Sequence, residues 1–163
     1  MKRTAKAAAA DAPAIRDLLA YRLQKATHYI TKPAYLIYGR DFGITGVEWR
    51  LMGNLHADGA LSLAQVCQEA DVPIAQGSRT IASLAERGLV ARAPDEGDGR
   101  SVRLTLTPAG RTLFRKVLAR SRTLNGDLAG VLASDELAAL YRALEVLANS
   151  GRALLEAERA KGR

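Results

Sequence analysis

Residues 74–87 carry side chains that can contact the edges of nucleic-acid bases. The apolar residues of this segment recur at helical spacing and predict a helix that buries Ile74, Gly77, Ile81 and Leu84. The opposite face would hold small or hydrogen-bonding side chains: Ala75, Gln76, Ser78, Arg79, Ala82 and Ser83. Gln can pair with adenine and Arg with guanine through two hydrogen bonds each. An ordinary solvated face would carry more Glu and Lys, so the pattern favours base readout over plain solvation.

A second group of arginines lies around residues 94–108, PDEGDGRSVRLTLTP. Gly97 and Gly99 permit a turn, and the alternating residues after it predict a return strand. On or near this hairpin are Arg92, Arg100 and Arg103. An acidic loop alone would repel phosphate, so the arginine at position 100 is what suits the hairpin to a nucleic acid. The alternative is a solvated salt bridge at the hairpin tip, which contributes about 0–1 kcal/mol to stability.

The composition agrees with a polyanionic partner. The chain has 163 residues, a net charge of +7 and a pI of about 9.9, which suits nucleic acid or an acidic membrane surface. No stretch approaches the roughly 18–20 apolar residues of a membrane span. Residues 1–10 are expected to be a disordered basic tail rather than a signal peptide. The single cysteine and the lack of an export signal predict a cytoplasmic protein.

The elements that would position these side chains form a helix-turn-helix and a hairpin. The capping boxes Thr45-Gly-Val-Glu48 and Ser62-Leu-Ala-Gln65 predict helices over 46–56 and 62–70. A turn at 71–73 leads to the helix over 74–87, which Gly88 ends. Two short helices joined by such a turn are typical of a helix-turn-helix. Strands are predicted at 89–92 and 102–107.

Longer helices flank this region. One is expected to begin at Asp11-Ala-Pro13 and to continue or bend at Pro33 before a break over 39–43. Two more are predicted over about 109–124 and from Ser134 onwards. The last has an apolar stripe of Leu137, Leu140, Tyr141, Leu144, Leu147, Leu154 and Leu155. Because these faces exceed what a compact helix-turn-helix can cover, we expect them to meet a second copy of the chain.

Over residues 44–115 the chain resembles the MarR family of bacterial transcription regulators. The matching pieces are GITGVEWRLMGNL, SLAQVCQEADVP, SRTIASLAERGLVAR and DEGDGRSVRLTLTPAGR, in this order and between long helices. The resemblance implies a mainly α fold with a small β-hairpin wing, in which a winged helix-turn-helix domain is joined to N- and C-terminal dimerisation helices. It also implies a homodimer that binds palindromic DNA and is released by a small ligand, often an aromatic acid. Asp98 and Arg100 match the Asp-x-Arg of the family, where the acid orients an arginine that enters the minor groove.

These expectations divide the chain into four parts. After the tail, residues 11–43 would form an N-terminal helical region that serves dimerisation and lines a ligand pocket. Residues 44–108 would be the winged helix-turn-helix DNA-binding domain, and residues 109–163 the C-terminal dimerisation helices. The expected DNA-binding residues are Ser62, Ala75, Gln76, Ser78, Arg79, Ser83, Asp98, Arg100 and Arg103.

Two departures from the family pattern affect the predicted DNA contacts. Pro73 replaces the usual polar cap of the second helix, which leaves Asp71 as the expected cap. Ala82-Ser83 replaces a common Asp-Arg pair, so Arg79 is the only arginine on the groove face before position 87. Base contacts would then be few, and shape and phosphate contacts would carry more of the affinity. The helix N-terminus at Ser62 offers a phosphate seat, while Arg50 could be a phosphate contact or a plain surface charge.

The candidate ligand pocket follows from the aromatic residues. Six of the eight lie between positions 21 and 49, where the family resemblance places a pocket. The candidate ligand-binding residues are Tyr21, His28, Tyr29, Tyr38, Arg40 and Trp49. Tyr and Trp offer flat apolar surface with a polar tip, and Arg or His can neutralise a carboxylate. The alternative is a structural aromatic cluster. If the cluster is a pocket, an aromatic carboxylate or a phenolic compound is its natural ligand.

Other reactive residues lack a supporting context. Cys67 falls at a core position of a predicted helix and has no second cysteine to resolve an oxidised thiol, which favours a packed thiol over a redox switch. His28 and His56 have no partners at metal-ligand spacing, so neither a metal nor a cofactor is expected. No catalytic motif is present, and we expect no enzyme.

The sequence therefore predicts a homodimeric DNA-binding transcription regulator, a repressor that an aromatic acid releases from an inverted-repeat operator. Two alternatives remain at this point. The winged helix could be a protein-interaction module, or the chain could bind DNA without sensing a ligand.

Overall fold

The computed structural model describes residues 14–94 and 102–162. A single 3-10 turn at Ile15–Asp17 precedes helix α1, Leu19–Phe42. Helix α2 spans Gly46–Asp58, strand β1 spans Leu61–Ser62, and helices α3 and α4 span Leu63–Glu69 and Ile74–Glu86. Strands β2 and β3 span Val90–Pro94 and Val102–Leu106. Helices α5, Pro108–Ala129, and α6, Ser134–Lys161, complete the described chain. The predicted tail (1–10) and the predicted helix start (11–13) lie outside the described residues.

The two predicted capping boxes are present and begin their helices. Thr45 Oγ1 accepts a hydrogen bond from the Glu48 amide (3.2 Å), and Glu48 Oε2 accepts one from the Thr45 amide (2.6 Å). Ser62 Oγ accepts from the Gln65 amide (3.3 Å), and Gln65 Oε1 accepts from the Ser62 amide (2.9 Å). Both boxes satisfy amides that a helix N-terminus would leave without partners.

The sheet has three antiparallel strands in the order β1-β3-β2. Leu61 pairs with Leu104, and Val90 pairs with Leu106. The hairpin of β2 and β3 was predicted, whereas β1 was missed. A strand of two residues is too short to show an alternating pattern, and its pairing is set by the partner strand rather than by its own sequence.

The core lies where α2, α3 and α4 pack on the sheet. Its fully buried side chains include Leu51, Met52, Val66, Ile81 and Leu84. Phe114 of α5 closes the same cluster, and half-buried Trp49 packs against it. This core holds α4 rigidly by one face and leaves the other face free.

Two predicted boundaries were wrong. Helix α1 continues through Pro33 and through Gly39 up to Phe42, and Gly43 ends it with a left-handed φ of 64°. The break therefore lies at 43 and not over 39–43, because only Gly43 takes the conformation that ends a helix. Helix α5 extends five residues beyond the predicted 124.

The described chain falls into two compact units, of which the second begins at residue 122. The first unit contains α1, the helix-turn-helix and the sheet. The second contains the end of α5 and all of α6. None of the 28 residues of α6, all of which the structure describes, is buried.

Candidate nucleic-acid interface

Helix α4 presents the predicted polar face to solvent along its first turns. Ala75, Gln76, Ser78 and Arg79 are exposed, whereas Gly77, Ile81 and Leu84 are buried. Further along, Ala82 and Ser83 are half-buried. Exposure is thus greatest at the N-terminal half of α4. In a helix-turn-helix this half enters the major groove.

Two predictions about the start of α4 were wrong. Ile74 was expected to face the core but is 59% exposed. Side chains of a helix lean towards its N-terminus, so an isoleucine at the first position reaches past the packed layer. Asp71 was expected to cap α4, but the N-cap is Pro73, which makes no side-chain cap hydrogen bond. Asp71 instead has a φ of 49° in the turn that ends α3.

A close approach between α3 and α4 sets the position of the exposed face. A Cβ atom added to Gly77 would collide with Sγ of Cys67, so only glycine fits here. Cys67 is 1% exposed, which confirms the prediction of a packed thiol. Burial raises the pKa of this thiol, since a low dielectric disfavours the thiolate. The cysteine thus belongs to the packing that holds α4.

Arg50 links α2 to the turn of the helix-turn-helix. Its Nη1 donates to the carbonyl of Ala70 at 2.9 Å and to that of Asp71 at 3.4 Å. These carbonyls lie where α3 ends, and a cation is favourable at a helix C-terminus. The sequence left open a phosphate contact or a surface charge. The structure shows a third role, in which the guanidinium holds the turn that precedes α4.

An ion pair between exposed Arg87 and buried Glu48 holds the other end of α4. Arg87 Nη1 lies 2.6 Å from Oε1 of Glu48, whose side chain is 7% exposed, and Arg87 Nη2 donates to the carbonyl of Gly43 at 2.9 Å. The same carboxylate accepts the amide of Thr45. From the sequence, Glu48 was expected only as part of a capping box, and its ion pair with Arg87 was not predicted. The two partners are 39 positions apart in the sequence, and no local sequence pattern predicts a contact over this distance.

The base of the wing is described, and its tip is not. Arg103 is half-buried, and its Nη1 donates to the carbonyl of Ala60 at 3.1 Å, so part of its guanidinium binds the strand edge. Ser62 is half-buried and caps α3 with its hydroxyl. Asp98 and Arg100, the expected minor-groove pair, lie outside the described residues.

A cavity of about 380 Å³ opens between α4 and the two strands of the wing. The cavity was not predicted, because it forms between elements that are distant in sequence. Its lining is mostly apolar, and Arg92 and Ser78 supply the polar groups. The lining residues are Leu63, Ser78, Ile81, Arg92, Ala93, Pro94, Val102 and Leu104.

The structure separates the predicted ligand residues into two groups, one near each end of α1. At its C-terminal end, Tyr38 is 4% exposed, and its hydroxyl lies 2.6 Å from Ser121 Oγ. The Tyr38 ring packs against Trp49 (5.5 Å between centroids), and Trp49 stacks on Phe114 (4.9 Å). These contacts fit the structural-cluster alternative for Tyr38 and Trp49.

The second group lies on the N-terminal half of α1. Tyr21, His28 and Tyr29 are exposed, and with Gln24 and Lys25 they line a concave surface of about 320 Å³. A helix rise of about 1.5 Å per residue puts Tyr21 roughly 25 Å from Tyr38. A single small ligand therefore cannot contact both groups in one protomer.

Arg40 belongs to neither group. It is exposed, and its Nε lies 2.6 Å from Oδ1 of Asp41. The hydrogen bond between the two side chains raises the pKa of Arg40 and lowers the pKa of Asp41. The guanidinium thus already has a carboxylate partner. Among the described residues, no cluster of His, Cys, Asp and Glu could hold a metal ion.

The arrangement of α3, α4 and the antiparallel sheet defines a winged helix-turn-helix protein. Residues 42–101 match the model of the MarR family. The winged segment is therefore similar to the MarR family, as its residues predicted. No curated protein matches the chain significantly. Within the described ranges, no helix is long and apolar enough to cross a membrane.

Solved structures share this fold over most of the chain. A MarR family transcriptional regulator from Silicibacter pomeroyi has a TM-score of 0.74 at 22% identity, over 84% of this chain and 91% of that one. BpsR of Bordetella bronchiseptica, whose DNA binding is regulated by 6-hydroxynicotinic acid, has a TM-score of 0.70 at 23% identity, over 83% and 96%. A mutant MarR from E. coli complexed with operator DNA has a TM-score of 0.68 at 18% identity, over 83% and 99%.

Proposed function

We propose that the chain is a homodimeric repressor that binds an inverted-repeat operator and is released by a small aromatic acid. The observation that carries the DNA-binding half is the free face of α4. Ala75, Gln76, Ser78 and Arg79 are exposed together, and no acidic residue occurs from 74 to 85. Small side chains allow α4 to approach the groove floor, where Gln and Arg can contact base edges.

Phosphate contacts would supplement these few base contacts. Arg92 is exposed on β2 next to the recognition face. The sequence places Arg100 between β2 and β3, where we expect it to enter the minor groove with Asp98 as its orienting partner. Ser62 and Arg103 use part of their hydrogen-bonding capacity within the fold, so we assign them phosphate contacts rather than base readout. Such contacts release counterions, and affinity should fall steeply with salt.

The exposed apolar residues of α6 support the homodimer. Leu140, Leu144 and Leu147 are 42%, 40% and 36% exposed and recur at helical spacing. Contiguous apolar surface of this kind marks an interaction site on a protein. With two-fold symmetry, the two copies of α4 would meet half-sites whose centres are about 10 bp apart, one turn of DNA.

The N-terminal half of α1 supports the ligand half of the proposal. Tyr21, His28 and Tyr29 offer ring faces beside the cation of Lys25, a combination that suits an aromatic carboxylate. BpsR, which shares the fold, is regulated by 6-hydroxynicotinic acid, an aromatic acid. The ligand would favour a spacing of the two recognition helices that no longer matches adjacent grooves.

A gel shift with the DNA upstream of the gene tests both halves. We expect selective binding at physiological salt that benzoate weakens, and Arg100→Ala should weaken binding without lowering the melting temperature. Binding that ignores benzoate and related aromatic acids would remove the sensor and leave a non-sensing DNA-binding protein. Equal affinity for random and upstream DNA, or no binding, would favour a protein-interaction module.

A further inference from the structure

Two arginine side chains link the two ends of α4, the proposed recognition helix, to the same helix, α2. At the turn before α4, Arg50 of α2 binds the carbonyl of Ala70. At the end of α4, Arg87 binds Glu48 of α2 and the carbonyl of Gly43. Gly43 is the residue that ends α1. One guanidinium therefore joins the ends of α1 and α4 to the start of α2.

We propose that Glu48 and Arg87 are positioning residues for operator binding, which set the orientation of α4 relative to α1. The inference rests on the proposed function, because the orientation of α4 in each protomer determines the distance between the two recognition helices of the dimer. Neither residue needs to touch DNA for this role. Glu48 is buried, and Arg87 follows the last turn of α4, away from the exposed residues 75–79.

The geometry of the Glu48–Arg87 pair indicates that it fixes the orientation of α4 and does not merely attract two opposite charges. An arginine fork fixes direction, since its two amino groups donate along set lines. Here Nη1 and Nη2 donate to groups on two different elements, at 2.6 and 2.9 Å. Glu48 also accepts from the Thr45 amide at 2.6 Å, so the carboxylate itself is held. Apolar packing, which is not directional, would tolerate small rotations that this network resists.

A small rotation of α4 is enough to affect recognition. The helix has 13 residues and is about 20 Å long. A rotation of about 10° displaces one end relative to the other by about 3 Å, close to the roughly 3.4 Å rise of one base pair. Loss of the pair should therefore relax the preferred spacing between half-sites.

Two conservative variants separate positioning from folding. Glu48→Gln removes the charge but keeps an oxygen for the Thr45 amide, because Gln serves in a capping box as Glu does. Arg87→Lys keeps the charge but loses the fork. Arg115→Lys is the matched control, since Arg115 is exposed on α5 and hydrogen-bonds locally, to Thr112.

The first measurement is affinity for a series of operators whose half-site spacing is shortened or lengthened by single base pairs. We expect the wild type and Arg115→Lys to prefer one spacing. Glu48→Gln and Arg87→Lys should lose about tenfold in affinity at that spacing, with little change on the altered spacings and on random duplex. An unchanged preference, or an equal loss on every duplex together with a lowered melting temperature, would overturn the proposal.

Amide hydrogen exchange provides a readout that needs no DNA. Both variants should speed amide exchange at Ile44 and Leu89, whose amides hydrogen-bond to backbone carbonyls beside the Glu48–Arg87 pair. Exchange in α2 around Leu55 should not change. If the wild type shows no operator selectivity, the proposed function fails. The exchange measurement then tests by itself whether the Glu48–Arg87 pair holds α4. Unchanged exchange at Ile44 and Leu89 would overturn it.

Discussion

Trp49 stacks on Phe114, with 4.9 Å between the ring centroids and 18° between the ring planes. The two residues come from α2 and α5, and Phe114 is 5% exposed. Trp49 also contacts Tyr38, whose hydroxyl is bonded to Ser121. This chain of contacts joins the end of α1, helix α2 and helix α5.

The stack predicts that aromatic residues of the two groups respond differently to substitution. Trp49→Leu should lower the free energy of unfolding by about 2–3 kcal/mol, because it removes buried ring contacts. Its affinity for benzoate should stay within about twofold of the wild type. Tyr29 is 66% exposed. Tyr29→Ala should therefore leave the free energy of unfolding nearly unchanged and weaken benzoate binding. Urea denaturation and titration calorimetry measure the two effects, and loss of benzoate binding only in Trp49→Leu would restore the interior cluster as the pocket.

Gly77 should not tolerate a methyl group. Gly77→Ala is expected to destabilise the protein by about 1–2 kcal/mol, because the added carbon collides with the buried Cys67 sulfur. Cys67→Ala in the same chain should recover part of this loss, which a double-mutant cycle of unfolding free energies would reveal. Gly126→Ala is the control. Nothing lies within 4 Å of the added atom, so the change should be neutral or stabilising by up to about 1 kcal/mol.

The buried thiol predicts a pH dependence. Burial raises the pKa of Cys67 in the folded state, so the native protein holds the thiol proton more tightly than the unfolded chain. As the pH rises above the ordinary thiol pKa of about 8.5, unfolding releases a proton, and stability should fall. Cys67→Ala should reduce this decline in urea unfolding at pH 8–10. Iodoacetamide should alkylate the native thiol far more slowly than the unfolded one, and comparable rates would contradict the buried position.

If the apolar stripe of α6 is the dimer interface, a single acidic substitution within it should separate the two protomers. Leu144→Glu should convert the proposed dimer to a monomer in sedimentation velocity and weaken operator binding strongly, because a buried unpaired charge is costly at an interface. Asn149→Glu is the control, since it adds the same charge on the opposite side of the helix. A Leu144→Glu protein that stays dimeric would place the interface elsewhere.

Local signals predicted most of the winged domain. Thr45 and Ser62 announce their helices through capping boxes, and Gly88, with a φ of 67°, ends α4 where a glycine is expected. These features act over three or four residues, so the sequence shows them directly. Helical spacing correctly predicted that Gly77, Ile81 and Leu84 of α4 are buried. The same prediction was wrong for Ile74, at the first position of the helix.

Contacts between distant segments could not be predicted. The Glu48–Arg87 pair and the role of Arg50 depend on how α2 packs against α3 and α4, which no local pattern encodes. The aromatic residues are close together in the sequence, but they differ in burial because α1 is long. Tyr38 reaches the core, while Tyr21 and Tyr29 remain exposed. Composition identified the residues, and only the fold distinguished packing from a candidate pocket.

The most direct test of the central claim is a DNase I footprint of the wild-type protein on the DNA upstream of its gene. We expect two protected half-sites related by two-fold symmetry, with centres about 10 bp apart, and protection that disappears as salt is raised. Protection spread evenly along the fragment, or none at concentrations that saturate a typical operator, would contradict it.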